Sequence, residues 1–306
     1  MKSALVTGAK GFLGNHLCKS LIMSGYEVKK HVRKLDPFDH SQQFECDLEK
    51  NSFPDHYMEN IDVVFHLAGL AHDVYSSSLN FQRYHSVNVD ATVKIAELAA
   101  KKNVKKFIFV SSVKAGGNSN NKNCLDEETQ NEPIGIYAQT KREAEIKLID
   151  ISQKTGMKVT IVRSALVYGP KVKGNLEIMI NGIKRGWFPP IPDNSNMRSM
   201  IHIDDIVAAL QFVAHDKNAN NLIYIATDGT PHSSRELYIS MCNAFELRVP
   251  NWSLPVFFFK AISLISPSIK SKVHKILGND CYSSKSLESI GFKAKKSLKD
   301  INETDI

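Results

Sequence analysis

Tyr137 and Lys141 stand four residues apart, and a hydroxyl, Ser112, closes the apolar run that precedes them. On a helix, that spacing puts phenol and ammonium on one face. A neighbouring ammonium favours phenolate and lowers a tyrosine pKa from its usual value of about 10. Tyr137 can then pass a proton to or from a carbinol oxygen while hydride moves at the adjacent carbon. Ser112 can hydrogen-bond the same oxygen and fix its place. A second group of residues bears on which hydride carrier this chemistry would use. In Val6-Thr-Gly-Ala-Lys-Gly-Phe-Leu-Gly14, glycines 8, 11 and 14 follow a short apolar run and open a helical pattern. In that setting Gly8 permits a tight turn, Gly11 lets the backbone approach a pyrophosphate, and Gly14 allows close packing of helix on strand. The helix start would offer unpaired N–H groups to the phosphates.

Such residues need a scaffold, and the chain alternates strand and helix patterns. Residues 4–6, 28–32, 61–66, 107–110 and 158–162 read as strands. Helices are expected from Gly14 to Met23, from about Asn88 to Lys102, and from near Tyr137 onward. The alternation predicts an α/β fold with a doubly wound, Rossmann-type parallel sheet. Past Tyr168 the pattern loosens around prolines 189, 190, 192 and 250, although 206–213 and 222–226 look like one more helix and strand. The expected division is a dinucleotide-binding domain of residues 1–168 with about 202–228 returning to the sheet. About 169–201 and 229–306 would form a smaller C-terminal substrate-binding lid.

Composition bounds the function. The 306 residues are 42% hydrophobic and 23% charged, an ordinary globular balance. The formal charge of +7 is scattered, without the basic–aromatic interleaving of a nucleic-acid groove; it suits a solvated face or a diphosphorylated small molecule, and no nucleic-acid partner is expected. Five widely spaced cysteines (18, 46, 124, 242, 281) contain no C-x-x-C pair. They are expected to be reduced thiols in a cytoplasmic protein, with no metal site. The start of the chain carries no cleavable signal pattern. No apolar run reaches the ~20 residues of a membrane span. Residues 254–265, interrupted by Lys260, are expected to be a buried or subunit-contacting helix, with a helix resting on a membrane surface as the alternative.

The string T-G-x-x-G-F-x-G, running through Phe12 and Leu13, resembles the extended short-chain dehydrogenase/reductase family of nucleotide-sugar epimerases and dehydratases. Further motifs extend the resemblance over most of the chain. Cys46-Asp47-Leu48 resembles the family's contact to adenine, and His66-Leu67-Ala68-Gly69 its strand end beside the cofactor. Val87-Asn-Val-Asp-Ala-Thr92 resembles its helix start, and Tyr137-Ala-Gln-Thr-Lys141 its Y-x-x-x-K pair. Arg163 to Pro170, with Val167, resembles R-P-x-x-V-Y-G-P, although Ser164 replaces the proline. The resemblance implies that Ser112, Tyr137 and Lys141 are catalytic, Lys141 also holding the nicotinamide ribose. It further implies a cytoplasmic enzyme acting on a UDP-sugar, and a possible homodimer.

Two departures refine the expectation. Dehydratases of the family carry an Asp-Glu pair after the serine-like hydroxyl; Val113 and Lys114 stand there instead. Ser111-Ser-Val-Lys114 resembles the S-S-x-K of bacterial UDP-sugar 4-epimerases and 4-keto-reductases of polysaccharide biosynthesis, so Lys114 is a candidate sugar or phosphate contact alongside an ordinary loop lysine. At the end of the second strand, Val32-Arg33 replaces the acidic residue of NAD-dependent members. An arginine there can grip a 2′-phosphate, and Lys10 adds a second cation, so NADP(H) is favoured with NAD(H) open. In the lid, Asn175 and Arg198 match the family's UDP-diphosphate contacts, while residues 187–190 could shelve uracil or close the lid core. The expected activity is reduction of a 4-keto group on a UDP-linked amino or 6-deoxy sugar. A UDP-N-acetylglucosamine or UDP-glucose-type 4-epimerase is the alternative, and a non-catalytic NADP-sensing protein the third reading.

Overall fold

Both faces of a parallel sheet are covered by helices, so its strands must be apolar throughout. Ala4, Leu5 and Val6 accordingly have no exposed surface. The structure is a computed structural model that describes all residues except 1, 51–52, 72–77, 120–122 and 221. Its first half runs β1 (Ser3–Thr7), α1 (Phe12–Met23), β2 (Glu27–Val32), β3 (Gln43–Glu45), β4 (Val63–His66), α2 (Ser78–His85), α3 (Ala91–Lys101), β5 (Lys106–Ser112) and α4 (Ile136–Thr155). It continues through β6 (Lys158–Ser164), β7 (Leu166–Tyr168), α5 (Asn175–Lys184), β8 (Met200–His202), α6 (Ile203–His215) and β9 (Ile223–Ala226). The chain closes with α7 (Ser234–Ala244), α8 (Val256–Ser263), α9 (Pro267–Leu277) and α10 (Lys285–Ser289).

The main sheet has the order β3-β2-β1-β4-β5-β6-β9, and every pairing is parallel. This is the Rossmann-like arrangement expected from the alternation. The strand order reverses between β1 and β4, which opens the crevice where such sheets bind ligands. One apolar cluster packs α1 and α6 on one face, with Leu17, Leu21, Ile206 and Leu210 fully buried. A second packs α3 and α4 on the other, with Ile95, Ala99, Ala144 and Leu148. β3 is too short to have shown a strand pattern in the sequence. The expected helix start at Asn88 is instead a π-type turn, Ser86–Asp90, between α2 and α3.

β7 and β8 form a separate two-stranded parallel sheet. A third cluster, including Leu176, Met179 and Ile183 of α5 and Leu237 and Met241 of α7, packs these two helices together. Leu287 and Phe292, from the last part of the chain, pack in the same cluster as α1 and α6. His202 Nδ1 accepts the Asp204 N–H at the start of α6, and Asp205 accepts the Lys295 and Lys296 N–H groups, so the start of α6 is tied to residues 295–296.

Two sequence expectations are overturned. Cys124 and Cys281 form a disulfide with Cα atoms 4.5 Å apart; Cys18, Cys46 and Cys242 are buried free thiols. The partners lie 157 residues apart in sequence, and backbone pairing brings them together: Leu125 N–H donates to Cys281 O and Ser283 N–H to Leu125 O. For the apolar stretch 254–265 only the buried form of the expectation is overturned; a subunit-contacting helix and a membrane-surface helix both agree with its exposure. Of its helix α8 only Phe259 is buried, whereas Phe257, Phe258 and Ile262 face solvent. Among the described residues, no helix is long and apolar enough to cross a membrane.

Candidate active site

The glycine turn follows β1 at the strand-order reversal. Gly8 has φ +70°, and a Cβ there would lie 2.9 Å from Ala68 N. A Cβ on Gly14 would fall 2.2 Å from Gly8 O, so α1 could not approach the turn with any side chain at that position. These close approaches are what a pyrophosphate cradle needs, and the turn fits a dinucleotide.

A buried polar row beneath the cradle holds it still. The register sets Thr7 beside both His31 of β2 and His66 of β4. Thr92 donates its hydroxyl to Asn88 O, so His66 Nε2 must donate to Thr92 Oγ1, 2.8 Å away. His66 Nδ1 then accepts from Thr7 Oγ1 at 2.8 Å, and both Thr7 lone pairs take the Leu67 and Ala68 N–H groups. Full burial keeps the His66 ring well below its ordinary pKa, hence neutral, as this pattern requires. His31, also buried and lowered, donates Nε2–H to Cys46 O and receives the Gly8 N–H on Nδ1. It therefore links the pyrophosphate turn to the loop carrying Asp47. Asn88 completes the set, accepting from Leu70 N–H and donating to Leu70 O and Thr140 Oγ1.

On the other side of the crevice, Tyr137 opens the first turn of α4 and is half-buried. Lys141 follows one turn later, with 3% exposure. Its Nζ donates to Val110 O at 2.9 Å, lies 4.4 Å from the Phe109 ring centre and sits close over Gly69. Burial pushes the ammonium down to about 8, with nearby Glu145 opposing the fall. Val110 lies two residues before Ser112, so Lys141, Ser112 and the Leu67–Gly69 strand end gather at one edge of the sheet. Ser112 Oγ caps the turn after β5 by accepting the Lys114 N–H.

Glu145, one turn beyond Lys141, holds this helix in place. It forms a fully buried pair with Arg163, 2.9 Å to Nε and 2.6 Å to the second nitrogen, and accepts from Ser111 Oγ. The pair joins α4 to the ends of β5 and β6, whose register aligns Ser111 with Arg163. Its i+4 spacing from Lys141 was the available sequence signal.

The adenine end is more open. Arg33 is exposed beyond β2, without a hydrogen bond or ion pair among the described residues. Lys10 Nζ reaches Lys34 O at 2.7 Å, bringing the two cationic segments together. Asp47 is half-buried and accepts the Glu49 N–H; Leu48 is buried. Val167 is half-buried in β7 against the sheet-side cluster.

In the turn after β5, Lys114 is not a free loop lysine. Its Nζ pairs with Asp280 at 2.6 Å and donates to Asn118 at 3.0 Å. Arg198 lies beside Asp280, whose backbone bridges to it, and donates to Lys275 O. Burial lowers the Arg198 pKa against the opposing charge of Asp280. Asp280, adjacent to the disulfide, thus gathers two of the predicted substrate cations, and nothing in its sequence surroundings singled it out. Asn175 is exposed at the start of α5, where Gly174 adopts φ +79°. Trp187 is mainly exposed over Gly182, and Phe188 packs towards Tyr238. Among the described residues no cluster of three His, Cys, Asp or Glu side chains is placed to hold a metal.

A cradle of obligate glycines at the strand-order reversal, with a buried lysine and a tyrosine on the facing helix, defines a dinucleotide-dependent enzyme of the short-chain dehydrogenase/reductase type. Residues 4–226 match the NAD dependent epimerase/dehydratase family, and the chain belongs to it. It is 34% identical over 264 residues to a UDP-glucose 4-epimerase of Vibrio cholerae, covering 83% of this chain and 79% of that protein. It is 26% identical to an N-acetyl-alpha-D-glucosaminyl-diphospho-ditrans,octacis-undecaprenol 4-epimerase of Escherichia coli O157:H7, over 83% and 75% of the two chains. Among solved structures, UDP-glucose 4-epimerase of Thermotoga maritima with UDP-glucose superposes with TM-score 0.81 at 23% identity, covering 99% of this chain and 97% of that one. MoeE5 in complex with UDP-glucose and NAD gives 0.77 at 25%, covering 97% and 95%.

Proposed function

We propose that the enzyme is a 4-epimerase of a UDP-hexose or UDP-N-acetylhexosamine. The observation that carries this reading is the 34% identity to a UDP-glucose 4-epimerase over 83% of the chain. The site agrees with it: Val113 is buried and Lys114 is paired with Asp280, so no carboxyl pair for dehydration follows Ser112. Ser112 positions the sugar's C4 oxygen, and Tyr137 Oη accepts its proton as C4 is oxidised. Lys141 holds the tyrosine towards phenolate and binds the nicotinamide ribose. Gly8, Gly11 and Gly14 would hold a nicotinamide dinucleotide, which would supply reversible hydride transfer at C4. Between these steps the 4-keto sugar must present its opposite face, while Arg198, Asn175 and Lys114 retain the diphosphate and sugar. Tyr137 then gives the proton back. Pairing of two copies through α3 and α4, where Ile146 stands exposed, belongs to the same reading.

Reduction of a UDP-4-keto sugar is the second reading, favoured by Arg33. With no acidic residue at the end of β2, and with Lys10 held to Lys34 O although Asp36 lies 3.9 Å away, the adenine end is suited to the 2′-phosphate of NADPH, which a reductase would exchange at every turnover. A substrate deuterated at C4 separates the two readings. An epimerase yields the C4 epimer with deuterium retained and no added cofactor. A reductase leaves that substrate unchanged and oxidises added NADPH stoichiometrically on a UDP-4-keto sugar.

A further inference from the structure

We propose that the α8–α9 hairpin of the lid docks on an anionic phospholipid bilayer, placing the diphosphate side of the site next to the membrane surface. The first observation is a concentration of exposed apolar side chains. Within 252–265, Trp252 is 61% exposed, Phe257 61%, Leu264 86% and Ile265 72%, with Phe258 and Ile262 also in solvent. The Phe257 and Phe258 rings stack on each other, with centroids 4.3 Å apart. Isolated exposed apolar residues are ordinary, but a cluster spread over α8 and the residues flanking it marks an interaction surface. The helix is too short to span a bilayer, and its aromatic content suits the headgroup boundary.

The second observation is charge. From residue 247 to 279 there is no Asp or Glu, yet there are five basic residues, Arg248, Lys260, Lys270, Lys272 and Lys275. All five are exposed. This segment alone therefore carries a net charge of +5. An apolar tip flanked by lysines complements anionic headgroups above an acyl layer. A second copy of the chain complements it poorly, because a two-fold contact would set each lysine cluster against its own equivalent.

The hairpin is also held firmly at its base. Leu254 N–H donates to Pro190 O. The last carbonyls of α9 are taken by Asn194 on Leu277, by Asn196 and Ser234 on Ile276, and by Arg198 on Lys275. Arg198 thus joins the docking element to the candidate diphosphate clamp.

The test is vesicle sedimentation of the purified full-length enzyme, with a binding readout that does not depend on which sugar is turned over. Vesicles of phosphatidylcholine mixed with phosphatidylglycerol should carry the protein down at low salt. Phosphatidylcholine alone should bind on the order of ten-fold less, as should the mixed vesicles in high salt. Phe257→Ser with Leu264→Ser, and separately Lys270→Gln with Lys272→Gln, should each lower binding about ten-fold while leaving turnover of soluble substrate unchanged. Absence of sedimentation, or sedimentation indifferent to both pairs, would overturn the proposal. So would a dimer, seen by light scattering, that the Phe257→Ser/Leu264→Ser pair converts to monomer, since the face would then be covered by a second copy.

Discussion

Replacing Lys141 by methionine should make the protein more stable while removing its activity. The ammonium is almost fully buried, and burial lowers its pKa from 10.5 to about 8. At ~1.36 kcal/mol per pKa unit, keeping that charge folded at neutral pH costs about 3 kcal/mol. Methionine fills a similar volume without the charge but leaves Val110 O without its donor, a loss of about 1 kcal/mol. A net gain of about 2 kcal/mol at pH 7 follows. The sign with pH is specific. The folded-state pKa is depressed, so between about 8 and 10.5 the unfolded chain binds a proton that the folded chain does not, and wild-type stability rises with pH there. Methionine does not titrate, so its advantage should shrink by about 1 kcal/mol between pH 7 and pH 9. Urea titrations of both proteins without substrate at the two pH values measure this directly. A stability difference that stays constant between pH 7 and pH 9 would refute the claim that burial of a charged Lys141 is what the fold tolerates for function.

Other consequences are as readily checked. Arg33→Ala should weaken NADPH binding at least ten-fold more than NADH binding in fluorescence titrations, the size expected for losing one guanidinium–phosphate contact; equal losses would remove Arg33 from cofactor choice. Glu145→Gln leaves Arg163 buried without its counter-charge and should cost about 3–5 kcal/mol in denaturant stability. Alkylation of the unfolded, unreduced protein should label three cysteines, 18, 46 and 242, rather than five, as counted by intact mass.

Local constraints made much of the site legible. Gly8, Gly11 and Gly14 are demanded by contacts within a few residues and the neighbouring strand, and Tyr137 and Lys141 by one helical turn, so spacing alone exposed them. Ser112 ends β5 as its apolar run implied. What spacing could not expose depends on register or on distant chain. His31 supports Gly8 only because β2 lies beside β1, and Glu145 meets Arg163 only through the packing of α4 on the sheet. Asp280 reaches Lys114 from 166 residues away, and Cys281 meets Cys124 across a comparable separation. The apolar run at 254–265 could be located from composition, but whether anything covers it is a property of the folded surface.

The central claim is that this crevice performs hydride chemistry at C4 of a UDP-sugar with Tyr137 as the acid–base. The measurement that tests it most directly is NMR of UDP-glucose and UDP-N-acetylglucosamine incubated with the enzyme as purified, beside the Tyr137→Phe variant. The account predicts accumulation of a C4 epimer with wild-type enzyme and none with Tyr137→Phe, which should still bind the nicotinamide dinucleotide. Epimer formed equally by both proteins would contradict the role of Tyr137. No epimer from either sugar, with NADPH consumed on a UDP-4-keto sugar, would contradict epimerisation itself.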